Sequence, residues 1–246
     1  MKVHYRSVFI SDVHLGFNGS RAGDLLEFLK LVECDYLYLV GDIFDLWAMK
    51  SKVSWNEDCT AVIRRILKMN KRGTSVIFIP GNHDEAIRQF TPFELGESIM
   101  FTDEAIHETA AGLRLMVIHG DRFDPVVGNM KWIAKLGNVL YDWLLRLNGV
   151  FHRLRTMVGF KSYWSLAAFL KHRAKQAVSF INDFETAALQ YSSSKNCDGV
   201  ICGHIHTPKV SFKGAMLYAN CGDWVESCSA LVEQEDGEIR LLSWFK

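Results

Sequence analysis

The stretch "SVFISDVHLG" (Ser7–Gly16) is an apolar run that breaks at Asp12 and His14. The run reads as a buried strand, and the glycine-rich "DVHLGFNGSRAG" as the loop that leaves it. Outward from there an alternation sets in. "DLLEFLKLV" (Asp24–Val32) has helical spacing with Asp24 placed to cap it, and "DYLYLVGD" (Asp35–Asp42) is a second strand. "NEDCTAVIRRILKMNKRG" (Asn56–Gly73) is a second helix closed by its glycine, and "TSVIFIPGNHD" (Thr74–Asp84) a third strand. Strand, helix, strand, helix, strand at this spacing makes two βαβ units with parallel pairing, an α/β fold.

The second half differs. "AIHETAAGLRLMVIHGD" (Ala105–Asp121) reads as a hairpin whose second arm ends at His119. Residues 125 to about 191 read as helical throughout. Short strands with tight turns close the chain: "DGVICGHIH", "PKVSFKGAMLYANCGD", "CSALVEQEDG" and "EIRLLSW". No internal repeat or low-complexity tract interrupts the order.

Composition sets bounds. A chain of 246 residues suffices for one core, or one core carrying an inserted cap. The formal net charge is zero, which gives no global electrostatic case for nucleic acid. The six cysteines show no CxxC pair and read as buried thiols of a reducing compartment. The opening residues lack a signal peptide's apolar core, and no run reaches the ~18 apolar residues of a membrane span. The expected location is the cytoplasm.

Chemistry gathers where strands end. "SDVHLG" offers Asp12 and His14, "GDIFD" offers Asp42, and "GNHD" offers Asn82, His83 and Asp84. "HGD" adds His119, and "GHIH" adds His204 and His206, so that five of the nine histidines fall in these loops. Any one loop alone is ordinary turn chemistry. Open α/β sheets bind ligands beyond the carboxyl ends of their strands, so the five loops are expected to converge. Carboxylate, imidazole and amide oxygen together suit manganese, iron or zinc better than calcium or a thiolate-seeking metal. His204 and His206, two apart, would project the same way from an extended chain, over one spot.

The ordered set D-x-H, GD, GNHD, HG and GHxH resembles the calcineurin-like metallophosphoesterase superfamily, over almost the whole chain. Within it, "FISDVHL", "LVGDIFDLW" and a basic helical insert resemble the UDP-2,3-diacylglucosamine diphosphatase branch of lipid A biosynthesis. The resemblance implies a sandwich of two sheets flanked by helices, a single domain over 1–246 with a helical cap inserted at 125–191. It implies two divalent cations, manganese first, with iron or zinc as alternatives. Asp12, His14, Asp42 and His206 would hold the first, and Asp42, Asn82, His119 and His204 the second, with Asp42 bridging. His83 would stand beside them, to stabilise the phosphorane or protonate the leaving oxygen. Asp84 would orient His83 or cap the helix that follows. The branch carries arginine where this chain has His83, and the tail "YANCGDWVESCSALVE" also departs from it.

The insert has its own character. Val126 to Phe180 carries nine Lys or Arg against a single acid, Asp142. "MKWIAKLGNVLYDWLLRL" sets Trp132, Leu136, Val139, Trp143 and Leu147 along one helical face. Read plainly, this is a helix packed on the core with a solvated basic side. Read as a cap, it offers an apolar face to acyl chains and cations to phosphates. The same cations suit an anionic membrane surface, which would make the protein peripheral on the inner face of the plasma membrane. The expected activity is metal-dependent hydrolysis of a phosphodiester or diphosphate in a phosphorylated lipid or nucleotide-lipid such as UDP-2,3-diacylglucosamine. The alternatives are a soluble nucleotide phosphodiesterase or nuclease, and a binding scaffold that has lost catalysis. Nucleic acid is not the expected partner, and the sequence shows no protein partner.

Overall fold

Alternation along the first strand decides the layering. In β1 (Val3–Ile10), Val8 and Ile10 face one core and Phe9 faces another. β2 (Val32–Val40) repeats the division, with Leu37 and Leu39 on the first side and Tyr38 and Val40 on the second. A strand buried on both faces must be apolar at every position, which is why these segments read as continuous runs. The computed structural model describes residues 2–96, 98–127 and 166–244.

The first core lies under α1 (Ala22–Leu31) and α3 (Glu57–Asn70), where Leu25, Leu29, Val62 and Ile66 are buried. Each such side chain contributes about 1.5–3 kcal/mol by leaving water. Between those helices, α2 (Leu46–Ser51) is a short turn of helix with no buried residue. The second core lies between two sheets, where Phe9, Val40 and Ile79 meet Leu115, Val117, Ile201 and Ala219.

The remaining strands are β3 (Ser75–Ile79), β4 (Phe93–Leu95), β5 (Ile99–Phe101), β6 (Ala105–Glu108) and β7 (Arg114–Val117). After α4 (Asp124–Val127) and the long α5 (Leu166–Ser194) come β8 (Gly199–Cys202), β9 (Lys209–Lys213), β10 (Met216–Asn220), β11 (Ser229–Glu233) and β12 (Ile239–Ser243). One sheet has the order β12-β11-β1-β2-β3-β5-β4, and the other β6-β7-β8-β10-β9. In the first, β1, β2, β3 and β5 run parallel, with antiparallel strands at both flanks. In the second, β7, β8 and β10 are parallel neighbours. Two flanked sheets are the expected α/β sandwich, and the Ala105–Asp121 hairpin forms as β6 and β7.

Two local readings need correction. Asp24 does not cap α1; the helix starts at Ala22, and Asp24 in its first turn accepts from Arg21 Nε at 2.8 Å. The start moves earlier because the Arg21 amide donates to the Trp224 carbonyl, which fixes the chain just ahead of the helix. The β4–β5 hairpin was not anticipated; it extends the sheet through a Phe93–Phe101 stack with centroids 4.2 Å apart.

The chain divides into two compact units, Met1–Arg122 with Ala188–Lys246, and Phe123–Ala187. The expected amphipathic and basic face of the insert falls mainly on residues 128–165, outside the described residues. Within the first unit, a polar cluster holds the chain on either side of the second. Tyr191 Oη donates to Glu104 Oε2 at 2.6 Å, Arg122 Nη1 donates to the same oxygen at 2.8 Å, and Lys195 Nζ lies 3.4 Å from Oε1. All six cysteines are buried and free. Among the described residues no helix is long and apolar enough to cross a membrane.

Candidate metal centre

Loops leaving β1, β2, β3, β7 and β8 converge at the carboxyl ends of their strands. Their backbone is unusual. Among the described residues, seven other than glycine have positive φ, and five of them are Asp12, His14, Asp42, His204 and His206, at 52° to 71°. Each such residue costs roughly 1–3 kcal/mol and persists only where its surroundings over-determine it. The twist aims side chains inward that a continuing strand would send to alternate faces. Glycines beside the ligand residues clear space: a Cβ on Gly41 would collide with the His119 ring, and one on Gly81 with the Asp42 carboxylate.

Asp12, His14 and His206 form one group. Asp12 is fully buried, and its Oδ2 accepts from Ser11 Oγ and from the His204 amide at 2.8 Å. Its Oδ1 receives no hydrogen bond, although His206 Nε2 stands 3.0 Å and His14 Nε2 3.9 Å away. Asp42 and His119 form a second group, which Asp12 also joins. Asp42 Oδ1 accepts from the His83 amide at 2.7 Å, leaving Oδ2 ringed by three imidazole nitrogens. These are His119 Nε2 at 3.4 Å, His14 Nε2 at 4.0 Å and His83 Nε2 at 4.0 Å. His119 Nδ1 donates to the Val40 carbonyl at 2.9 Å, which turns its Nε2 inward, 3.2 Å from His204 Nδ1. Asn82 is half-buried between Gly81 and His83, in the same loop.

The two histidines of "GHIH" do not lean over one spot. β8 ends at Cys202, and both residues lie in a loop of positive φ; His204 faces His119, and His206 faces Asp12. Asp84 also departs from expectation. Its buried carboxylate neither touches His83 nor caps the following 3-10 turn. Instead Oδ2 accepts from the Ile43 and Phe44 amides at 2.9 and 3.2 Å, and Oδ1 from Gly81 at 2.6 Å, tying two ligand loops together. Burial, with Asp42 nearby, raises its pKa to about 6.

The partner of His83 is Asp45, which sequence reasoning passed over inside "GDIFD". Asp45 accepts from His83 Nδ1 at 2.9 Å and His14 Nδ1 at 3.2 Å, and caps α2 through Ala48 N at 2.8 Å. Its cap position before "LWAM" was the available signal. Trp47, nearly half exposed, lies tilted on the His83 ring with centroids 4.3 Å apart. His83 is thereby held on three sides, the third being His14 at 4.6 Å.

Among the described residues, every ion-pair partner of Asp12, Asp42 and Asp45 is a histidine. Burial opposes their charge, yet the imidazoles hold Asp12 and Asp45 well below the usual carboxylate range and Asp42 at about 2. The converse holds for His119, which burial would neutralise and Asp42 and Asp12 raise to about 10. The pocket demands positive charge.

A family model for calcineurin-like phosphoesterases matches residues 5–208, which include every one of these loops. The chain belongs to the calcineurin-like phosphoesterase family. Curated relatives of this phosphoesterase include the UDP-2,3-diacylglucosamine hydrolase of Vibrio atlanticus, 25% identical over 92% of this chain and 93% of that protein. The hydrolase of the same name from Neisseria meningitidis is 26% identical over 94% and 95% of the two chains. A hypothetical protein from Pyrococcus horikoshii has the same fold, with a TM-score of 0.51 at 10% identity, over 98% of this chain and 88% of that one.

Membership makes this chain a metal-dependent phosphoesterase, and the donors fit divalent cations. Two ligands each ~2.1 Å from an ion stand about 3.0 Å apart at right angles and about 4.2 Å when opposed. The nitrogen–oxygen separations around Asp12 Oδ1 and Asp42 Oδ2 run from 3.0 to 4.0 Å. The phosphoesterase also leaves Asp12 Oδ1 buried without a hydrogen bond, which a cation would complete.

Proposed function

We propose that the phosphoesterase holds two divalent cations, manganese first, and hydrolyses a phosphodiester or diphosphate bond in a nucleotide-lipid such as UDP-2,3-diacylglucosamine. Asp12, His14, Asp42 and His206 hold one cation; Asp42, Asn82, His119 and His204 hold the other. The observation that carries this is Asp42 Oδ2. With its sister oxygen committed to the His83 amide, this one atom has His119 Nε2 at 3.4 Å and His14 Nε2 at 4.0 Å. That is a nitrogen from each proposed ligand set, so that Asp42 would be the residue shared by both cations. The relatives' printed substrate supports the lipid nucleotide.

Bound in pairs, such cations supply an acidified water and polarise phosphoryl oxygens for in-line attack. The chain supplies the rest. With His83 Nδ1 donating to Asp45, the nitrogen left for proton exchange is Nε2, 4.0 Å from Asp42 Oδ2. It is as the imidazolium that His83 would carry a transferable proton there. As water oxygen bonds to phosphorus and the ester bond breaks, that proton passes to the departing oxygen. An arginine there would only neutralise charge, whereas histidine can release its proton. The basic segment 125–191 is the cap for the acyl chains, and its cations the contact with an anionic membrane on the cytoplasmic side.

Offering the manganese-loaded protein UDP-2,3-diacylglucosamine beside an aryl phosphodiester tests this. Release of UMP is the expected result. Hydrolysis of the aryl ester alone would discard the lipid nucleotide and keep the phosphoesterase chemistry.

A further inference from the structure

The tail "NCGDW" (Asn220–Trp224), where the sequence departs from the branch it resembles, belongs to no ligand group described above. It lies against two of them. The Trp224 amide donates to the Asp12 carbonyl at 3.0 Å, and Asn220 Nδ2 donates to the Gly203 carbonyl at 2.7 Å. The loop therefore braces the "SDVH" and "GHIH" loops from behind. Asp223 sits at its centre, 1% exposed. Its Oδ1 accepts from the amides of Val225, Glu226 and Ser227, which pins the carboxylate. Its Oδ2 accepts from Ser227 Oγ at 3.1 Å and faces His206 Nδ1 at 3.6 Å.

His206 needs such a partner. Its side chain is 38% exposed, against 6% or less for His14 and His119, and its backbone is held at a φ of 52°. Its Nε2 points at Asp12 Oδ1, where a cation would lie. An imidazole binds metal through an unprotonated nitrogen, so the proton must sit on the other. At 3.6 Å the contact is longer than a hydrogen bond, but a buried carboxylate at that range still favours the proton on the nitrogen facing it.

We propose that Asp223 is a positioning residue for His206: it keeps the proton on Nδ1 and so sets the affinity of the Asp12–His14–His206 group for its cation. This rests on the two-cation reading above. Carboxylates placed behind a ligating histidine typically contribute 10- to 100-fold in metal affinity.

The test is a manganese titration of the metal-free full-length protein, with free Mn²⁺ counted by its EPR signal. The wild-type stoichiometry reports on the two-cation reading by itself, and the ratio of variant to wild type reports on Asp223. Asp223→Asn retains an oxygen for the three amides but turns an NH₂ towards Nδ1. One binding step should weaken about 10- to 100-fold while the other is unchanged. Unchanged binding would overturn the proposal, and so would equal weakening of both steps, which marks a collapsed loop. A second measurement needs no variant: ¹⁵N spectra of the zinc-loaded wild type should show His206 protonated at Nδ1. A proton on Nε2 would overturn the assignment.

Discussion

His83 owes its orientation to three neighbours, and each can be removed separately. His83→Ala should lower kcat on an aryl phosphodiester by about 10²- to 10⁴-fold, the usual contribution of a positioned acid, with both cations retained on metal analysis. Unchanged turnover would remove His83 from the reaction. His204→Ala and Asp42→Asn should abolish turnover, by at least about 10³-fold, with far-UV circular dichroism unchanged. Loss of the fold in either variant would mean that these residues are structural. The residue types were legible in the sequence because each follows an apolar strand beside a turn. Their backbone twist was not, since a positive φ at Asp12 or His206 leaves no mark in residue identity. Asp45 could be read as a helix cap and no further, and Asp223 not at all, because a carboxylate behind a histidine resembles any capping acid until its neighbours are known.

Strands and helices were easier to read than the contacts between them. The βαβ order of β1, α1, β2, α3 and β3 follows from hydrophobic period, and it fixes where Asp12, Asp42 and His83 emerge. Pairing of β11 with β1 brings in what the period cannot show, a buried polar cluster of Glu233, His107, Ser7 and Arg6. Burial would raise the Glu233 pKa, but His107, Ser7 and the Ala110 amide lower it from 4.5 to about 2. Stability from this cluster is therefore full above the unfolded value of 4.5 and is lost as pH falls towards about 2. Glu233→Gln should flatten that acid limb in urea unfolding at stepped pH. It should also cost about 3–5 kcal/mol at neutral pH, as when one partner of a buried pair is removed. An acid limb of unchanged slope would show that other carboxylates govern it.

Taken whole, the phosphoesterase carries a cluster of buried carboxylates whose ion-pair partners among the described residues are histidines, and cations should stabilise it as well as activate it. At a hundredfold excess over its dissociation constant, a ligand adds about 2.7 kcal/mol. For a chain of this size that corresponds to about 5–10 °C in Tm. Chelator should lower the melting temperature by that much and manganese restore it; a Tm indifferent to both would contradict the pocket's charge reading. The clasp of Glu104, Arg122, Tyr191 and Lys195 has a different kind of consequence. It joins the residues where the chain leaves for the second unit and where it returns, so residues 123–187 enter and exit through one latched gateway. None of the strand ends that carry the chemistry lies beyond it. In evolutionary terms, a change in the length of that segment would leave untouched every residue that carries the chemistry.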